Sequence, residues 1–410
     1  MAVLLLLSLA LPLAAAAVVG VRGWGATGAA VTVAAACAVL VSGVVVAAHV
    51  THGAVVRAGP FRADALAAVM LLVIGSVGTL SAAASIGYLQ RESEPGKARR
   101  YGVLVNVFIS AMTLAVLADN LGVTWVAIEA TTVVTAFLVG HHGTRSALEA
   151  SWKYVIICSV GIALAFLGTV LLYFASVHAG PTSGALDYPT LIARASQLDP
   201  GVTRLAVALL LLGYGTKVGL VPFHTWLADA HSQAPAPVSA LMSGVLLSVA
   251  LSVLLRVKTI ADAALGADFM RDGLLTMGLL SLAVAACLLL VQRDYKRLLA
   301  YSSIEHMALA SVAAAAGTAL AISALLLLLL VHGLAKAVMF ISAGHLQHVF
   351  RSSQISSVRG LLDRSPPLGI LVAGGLVTLV GLPPFGIFAG ELGIARGVAQ
   401  ARLWWPLAGA

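Results

Sequence analysis

Charged side chains are scarce in this chain of 410 residues. Asp, Glu, Lys and Arg make up only 10% of it, whereas soluble domains carry about a quarter. Hydrophobic residues make up 60% and the mean hydropathy is +1.02, which excludes an ordinary soluble fold. Transmembrane barrels alternate polar and apolar residues over short segments, but the runs here are long, continuous and rich in Leu, Ala and Gly. The composition therefore predicts an all-α, polytopic helical membrane protein.

Cysteine is scarce as well. Cys37, Cys158 and Cys287 lie in separate apolar runs, and three scattered thiols cannot supply the four ligands of a typical iron–sulfur cluster. We therefore predict no redox cofactor. The pair His345 and His348 lacks carboxylate or thiol companions, which argues against a metal site. Neither a P-loop nor a Ser-His-Asp set is recognisable, so no catalytic residue is predicted.

Apolar windows follow one another along the whole chain. A bilayer core of about 30 Å needs roughly 20 apolar residues per helix. The windows that meet this need predict helices near 2–20, 29–49, 64–88, 103–118, 121–140, 152–177, 202–227, 236–256, 270–291, 298–316, 318–343 and 367–400. The first window lacks the basic segment that precedes the core of a secretory signal, so we interpret it as helix one. One transmembrane domain over 1–410 is predicted, with candidate inverted repeats over 103–257 and 270–410.

The net charge of +8 lies mainly in short connecting loops. One set of alternate loops carries roughly twice as many Lys and Arg as the other set. This excess places the loops around Arg99, Arg145 and Arg293 in the cytoplasm and the amino terminus outside. The basic balance is therefore interpreted as a topology signal. The lipid bilayer is an expected partner, and nucleic acid is not.

A short motif occurs twice in the chain. Gly219–Trp226 reads GLVPFHTW and Gly381–Phe388 reads GLPPFGIF, so both match G-L-x-P-F-x-x-aromatic. Proline removes a backbone donor and clashes with the preceding turn, which predicts breaks in helices seven and twelve. Paired broken helices are typical of inverted-repeat transporters with a site at the membrane midplane. Two unrelated proline kinks are the alternative interpretation.

Five ionisable side chains lie deep in apolar segments: Glu129, Lys217, His332, Lys336 and Glu391. A charge at the centre of a membrane helix costs about 2.5–3.5 kcal/mol, so such residues are expected to have a function. His332 and Lys336 are four residues apart and share one helix face. Groups of these types can pass a proton from one to the next, and we predict proton movement. A purely structural ion pair between Glu129 and Lys217 is the alternative, although buried pairs add little net stability.

Five further residues are secondary candidates for the same path: Lys153, His224, His231, Glu305 and His306. Glu305 and His306 lie together in an otherwise apolar helix. His224 and His231 lie at or beyond the first predicted break, where contact with water or the capping of a helix end would also explain them.

Three strings resemble the proton-pumping, antiporter-like subunits of complex I and its relatives: Leu121–Thr132 (LGVTWVAIEATT), Thr216–His231 (TKVGLVPFHTWLADAH) and Tyr301–His306 (YSSIEH). The run Ser151–Gly161 (SWKYVIICSVG), together with Ile128–Thr132, most resembles component F of hydrogenase-4, a membrane subunit of formate-hydrogenlyase-type, group 4 hydrogenase complexes. The resemblance covers roughly residues 60 to 400. It implies an inverted-repeat fold in which helices seven and twelve are broken.

The resemblance also implies roles. Glu129 and Lys217 would be the coupled pair at the proton input, with Lys153 near them. Lys336 with His332 would be the central relay, and Glu391 the terminal site. Many relatives carry a further His or Lys in helix eight.

Helix eight of this chain departs from that pattern, because Ser243 and Ser248 occupy the plausible positions. A serine cannot hold the charge, so the link from Lys217 to Lys336 would depend on water.

The function that the resemblance implies is that of a proton-translocating, non-redox subunit of a hydrogenase or NADH-quinone oxidoreductase type complex. Its partners would be other membrane subunits and a peripheral hydrogenase or dehydrogenase arm, in the plasma (inner) membrane. Redox centres would belong to those partners. Two alternatives stay open: a cation/proton antiporter subunit of the multisubunit Na⁺/H⁺ type, and a membrane anchor of a hydrogenase that does not pump.

Overall fold

The computed structural model describes residues 1–51, 53–90 and 92–403, which are mostly helical. Residues 404–410 of the predicted domain and of its second repeat lie outside the described residues. Among the described residues, eleven helices are long and apolar enough to cross a membrane. A twelfth crossing is divided into two shorter helices. The chain is therefore a multi-pass, all-α membrane protein, as its composition predicts.

The first part of the chain contains two short strands among its helices. Its elements are α1 (Ala2–Arg22), α2 (Ala26–Val50), β1 (Val56–Ala58), β2 (Phe61–Ala63), α3 (Ala65–Leu89), α4 (Pro95–Leu117), α5 (Leu121–Val139), α6 (Arg145–His178), α7 (Tyr188–Ala193), α8 (Pro200–Val218) and α9 (Trp226–Gln233). Short 3-10 turns follow α5 at Gly140–His142 and α7 at Ala195–Gln197. The strands pair antiparallel, with Val56 opposite Ala63.

The second part is helical apart from its loops. Its elements are α10 (Ala236–Leu241), a π-helical turn (Met242–Leu246), α11 (Leu247–Leu265), α12 (Ala267–Val291), α13 (Tyr295–Ala316), α14 (Ala319–Phe350), a 3-10 turn (Ile355–Ser357), α15 (Leu361–Arg364), α16 (Pro366–Leu379) and α17 (Gly386–Gln400). Within the continuous span Ala236–Leu265, 94% of the residues of its 18-residue apolar segment are buried, so this span forms the centre of the bundle.

Several helices extend beyond the predicted windows. α4 begins at Pro95 and α6 at Arg145, because helix-starting residues lie ahead of the apolar core. Pro95 has the fixed φ of a first helical position, and the Thr144 hydroxyl caps α6 by accepting from the Ala147 N–H at 3.2 Å. Hydropathy detects only the part of a helix that lies in lipid, so it misses such polar turns.

The two repeated motifs form the same backbone structure. α8 ends at Gly219 with φ +86°, and α16 is followed by Gly381 with φ +70°; both values lie in the left-handed region that favours glycine. In each motif the phenylalanine N–H donates to the leucine carbonyl three residues earlier, at 3.1 Å. The X–Pro bonds Val221–Pro222 and Pro383–Pro384 are both cis. The predicted breaks in the seventh and twelfth crossings are therefore confirmed, and they share one geometry.

A network of ion pairs ties the β1–β2 hairpin to the bundle on the predicted outer side. Arg256 donates to both oxygens of Asp64, at 2.9 and 3.2 Å, and Arg62 lies 3.6 Å from Asp119. Burial opposes the charge of Asp64, but Arg256, the Ala67 N–H and Arg62 together outweigh it and hold the pKa of that carboxyl below its ordinary value. Asp119 has weaker partners, and burial raises its pKa.

Candidate functional site

Lys217 is fully buried in the last turn of α8, immediately before the first break. Its ammonium donates to the hydroxyl of Tyr154 on α6 at 2.8 Å and lies 4.9 Å from the centre of that ring. The same hydroxyl is hydrogen-bonded to Thr135 on α5. Three helices thus meet at Lys217, and a neutral phenol is its hydrogen-bond partner.

Glu129, the predicted partner of Lys217, lies half-buried on α5. Its Oε2 is buried and has no hydrogen-bond partner among the described residues. Glu129 and Lys217 do not form an ion pair in the described part of the chain. Thr132 and Thr135 follow Glu129 at three-residue steps along α5, so all three occupy one side of that helix. Thr135 is bonded to Tyr154, the partner of Lys217, so the side of α5 that carries Glu129 faces the group around Lys217.

Lys153 points away from Lys217, although it precedes Tyr154 in the chain. Its ammonium pairs with Glu149 at 2.7 Å and with Asp229 at 3.3 Å, and its side chain is 49% exposed. Asp229 also pairs with Arg297 at 2.7 Å. These ion pairs connect α6, α9 and α13 at the end of the bundle that the loop charges predict to be cytoplasmic.

The two histidines near the first break have different surroundings. His224 lies half-buried within the break itself. His231 lies in α9, is fully buried and stacks on Phe340 of α14, with ring centres 5.0 Å apart. Both ring nitrogens of His231 are buried without a hydrogen-bond partner in the described part of the chain.

Lys336 is fully buried in the middle of α14. Its ammonium donates to the Leu299 carbonyl at 2.8 Å and to the Ser302 hydroxyl, both on α13. The carbonyl of Ser302 is 2.6 Å from Nδ1 of His306. Ser302 therefore joins the lysine, through its hydroxyl, to the histidine, through its carbonyl.

His306 continues this chain of contacts to Glu391. Its Nε2 lies 3.8 Å from Glu391 Oε1, which is too long for a hydrogen bond but a distance that one water can bridge. The ring of His332 is 5.0 Å from the ring of His306. Of the predicted residues, Lys336, His332, His306 and Glu391 thus form one cluster. His306, predicted as a secondary candidate, lies between Glu391 and His332 in this cluster.

A cavity of about 500 Å³ borders this cluster between α13, α16 and α17. Ser302, Glu305 and Glu391 supply its polar groups, and the rest of its wall is mainly aliphatic. Glu305 is half-buried here, one residue before His306. We refer to this space as the carboxylate cavity.

The link between Lys217 and Lys336 contains no titratable side chain from the eighth crossing, Ala236–Leu265, which the sequence analysis predicts as helix eight. Ser243 pairs with Ser303 of α13 at 2.7 Å, and Ser248 donates to the Gly244 carbonyl of its own helix at 3.3 Å. No run of hydrogen bonds among the described residues joins the two lysines. The side chains in this region therefore form two separate groups, one around each lysine.

Two hydroxyl side chains, Tyr154 and Ser302, were not predicted from the sequence, although each accepts a hydrogen bond from one of the two lysines. Tyr154 lies inside the run Ser151–Gly161 that carries the resemblance, and Ser302 lies inside Tyr301–His306. A phenol in an apolar run is a usable signal, because a buried Tyr hydroxyl normally has a partner. The serine gives no such signal.

Comparison with known proteins places the chain among membrane subunits of respiratory complexes. Residues 118–409 match the family described as NADH:quinone oxidoreductase/Mrp antiporter, TM. A hydrogenase-4 component F homolog of Methylacidiphilum infernorum is 40% identical over 340 residues, which are 81% of this chain and 71% of that protein. NADH-quinone oxidoreductase subunit N of Deinococcus radiodurans is 31% identical over 343 residues, 82% of this chain and 67% of that protein.

A solved structure has the same fold. One chain of the archaeal membrane-bound sulfane sulfur reductase, a respiratory membrane complex, superposes with a TM-score of 0.90 at 25% identity, covering 100% of this chain and 84% of that one. The family resemblance found in the sequence is thereby confirmed. The chain belongs to the NADH:quinone oxidoreductase/Mrp antiporter family of transmembrane proteins.

Proposed function

We propose that this chain translocates protons as a non-redox membrane subunit of a hydrogenase or NADH-quinone oxidoreductase type complex. Its partners are other membrane subunits and a peripheral hydrogenase or dehydrogenase arm, and the assembly lies in the plasma (inner) membrane. The observation that carries the proposal is the run of contacts from Lys336 through Ser302 and His306 to Glu391.

Stability does not account for Lys336. The side chain is fully buried, and among the described residues no carboxylate lies within ion-pair distance of it. A buried ammonium without a counter-ion costs several kcal/mol, which two hydrogen bonds to neutral oxygens offset only in part. Residues that destabilise a membrane helix in this way usually lie on an ion pathway.

The contacts of His306 suit it to pass a proton in one direction. When Nδ1 carries the hydrogen and donates to the Ser302 carbonyl, Nε2 has a free lone pair that faces Glu391. Protonation at Nε2 gives an imidazolium that can release a proton to the glutamate, directly after a small movement or through one water. The Ser302 hydroxyl accepts from Lys336 and donates to the Leu299 carbonyl, so it holds the ammonium in place, and the proton passes from Lys336 to Nε2 of His306 through water.

The group around Lys217 is proposed as the input. Its ammonium is held by the neutral Tyr154 hydroxyl, and Glu129 is the nearby acid that the family resemblance assigns to it. Movement of a charge in a partner subunit would change the balance between these groups, because electrostatic interactions are strong where water is excluded. Lys217 would then release its proton toward Lys336.

Lysine substitutions test this function. In vesicles that carry the complete complex, Lys336→Ala and Lys217→Ala should each abolish proton translocation while the partner arm still turns over its redox substrate. Lys258→Ala is the matched control, because Lys258 is also a buried helical lysine but pairs with Asp262 in α11. Wild-type acidification in either test variant would refute the proposal.

The carboxylate cavity favours one second candidate, a cation/proton antiporter subunit. Its wall combines the carboxylates of Glu305 and Glu391 with the hydroxyl of Ser302, and hard cations prefer such oxygen ligands. Proton movement driven by a sodium gradient, in proteoliposomes without redox substrate, would support this candidate. Absence of any sodium response would exclude it.

A non-pumping anchor is the third candidate, favoured by the serines at positions 243 and 248. It predicts normal redox activity and no acidification in wild type and in the double variant Glu129→Gln, Lys217→Ala alike. Acidification by wild type that the double variant loses would exclude it.

A further inference from the structure

A second cavity, of about 590 Å³, lies beside the C-terminal end of α14. It is enclosed by the ends of α3 and α14 and by the connection from α9 to α10. Its wall includes Tyr88, Ala234, Lys296, Gly344 and His345. α13 begins and α14 ends on this side, which the loop charges predict to be cytoplasmic. We call it the inner cavity.

Lys296 forms part of the wall and is only 3% exposed. Its ammonium donates to the carbonyls of Ser232 at 3.1 Å and Ala234 at 2.8 Å, which are the free carbonyls at the end of α9. The lysine therefore fixes the end of α9 against the inner cavity. His231 precedes these two residues and so lies just behind the wall.

The face of α14 shows where His231 lies relative to the relay. Lys336, Phe340 and Gly344 follow one another at four-residue steps, so they lie along one face of the helix. Lys336 is about 12 Å from Gly344 along the axis, at 1.5 Å per residue. His231 stacks on Phe340, which is midway between them. Phe340, the stacking partner of His231, is thus about one helical turn from Gly344 on the cavity wall and one turn from Lys336.

Both ring nitrogens of His231 are buried and have no hydrogen-bond partner among the residues described. Buried polar groups are nearly always satisfied, if not by protein then by ordered water. Lys296 bonds to the end of α9, the helix that carries His231, and Lys336 lies one turn from Phe340 on α14. An imidazole with two buried ring nitrogens without protein partners among the described residues, close to a cavity, is therefore placed to exchange protons with water.

We infer that the inner cavity is a separate proton entrance to the central relay, and that His231 carries protons from it to Lys336. The inference rests on the proposed function and adds a residue and an entrance to it. His231 accepts a proton from water in the cavity on one ring nitrogen and releases a proton from the other to the neutral amine of Lys336. No other bond changes, and the ring returns to its neutral form. The relay then runs from the inner cavity to the carboxylate cavity without using Ser243 and Ser248 of the eighth crossing.

The first test is His231→Ala with chemical rescue, in vesicles that carry the complete complex. Loss of a positioned proton carrier should slow proton translocation by about 100-fold. Added imidazole should restore a measurable part of the rate, because the truncated side chain leaves a space beside the inner cavity. A merely structural role of His231 would not respond to imidazole. The control is His178→Ala, since His178 is an exposed histidine at the end of α6 that bonds only to its own helix.

The outcomes separate this inference from the proposed function. If Lys336→Ala abolishes translocation but His231→Ala does not slow it, or slows it without rescue by imidazole, the entrance is overturned and the proposed function stands. If Lys336→Ala leaves translocation intact, the proposed function fails first.

The second test blocks the entrance from one side. Gln347 lies on the wall of the inner cavity, whereas Val349, two residues on, is 40% exposed and does not line it. Gln347→Cys and Val349→Cys are prepared in a background in which the three native cysteines are replaced by serine. A permanently charged methanethiosulfonate added to the predicted cytoplasmic side should slow translocation in the first variant only. An unchanged rate after complete labelling of Gln347→Cys, or equal loss in Val349→Cys, would overturn the entrance.

Discussion

Tyr154→Phe removes one oxygen from the contacts of Lys217 and leaves the ring in place. That oxygen is the hydrogen-bond acceptor of the buried ammonium, at 2.8 Å, while the ring contact at 4.9 Å is retained. A hydrogen bond to a charged group contributes about 1.5–3 kcal/mol. At 1.36 kcal/mol per tenfold change, its loss lowers the proton-binding constant of Lys217 by about 10- to 150-fold. Proton translocation should fall by a similar factor when loading of Lys217 limits the rate.

The assay is quenching of a pH-sensitive dye in inverted vesicles, with turnover of the redox substrate measured in the same sample. Tyr214→Phe is the matched control. Tyr214 is fully buried and lies three residues before Lys217 on α8, but its hydroxyl is not the hydrogen-bond partner of Lys217. The control should therefore translocate protons like wild type. The reasoning is refuted if Tyr154→Phe matches wild type, or if Tyr214→Phe shows the same loss.

Two further substitutions address the other groups. His306→Gln should block proton transfer to Glu391, because the amide cannot take up a proton at the position of Nε2. We expect redox turnover without acidification. Normal acidification would contradict the role of His306. Asp64→Asn should cost about 3 kcal/mol, because it leaves the Arg256 guanidinium poorly paired. Folding lowers the pKa of Asp64. The difference in stability between wild type and Asp64→Asn should therefore be complete above the ordinary carboxyl pKa, and it should disappear as the pH falls through the pKa of the folded state. Thermal unfolding of both proteins in detergent across this pH range measures it, and a gap that does not change with pH would contradict the assignment.

The architecture could be predicted from sequence because the signals for it are local. Long apolar runs specify membrane helices, and a left-handed glycine followed by proline specifies a break. Gly219 and Gly381 adopt that conformation in the two motifs. The candidate lysines were found for a related reason, since the cost of a buried charge does not depend on knowing its neighbours.

The hydrogen-bond partners could not be predicted in the same way. Hydroxyl groups are common in these helices, and many simply bond to a carbonyl three or four residues earlier, as Ser248 and Thr169 do. Ser302 has that local bond too, to Leu299, yet it also accepts from Lys336. Helix packing determines which hydroxyl also forms a hydrogen bond with a neighbouring helix. Hydropathy and spacing contain no information about it.

The polar side chains form separate groups around Lys217 and Lys336, and this affects how the protonation of one lysine can influence the other. A fixed chain of hydrogen bonds from Lys217 to Lys336 is absent among the described residues, and Ser243 and Ser303 bond to each other between them. Electrostatic interaction needs no such chain, because it acts across low-dielectric protein with the inverse of distance. A proton that arrives at Lys217 can therefore favour release from Lys336 without being the proton that Lys336 releases. A separate entrance at the inner cavity then supplies the second proton. Proton transfer to Lys336 therefore does not need a titratable group at Ser243 or Ser248 in the eighth crossing.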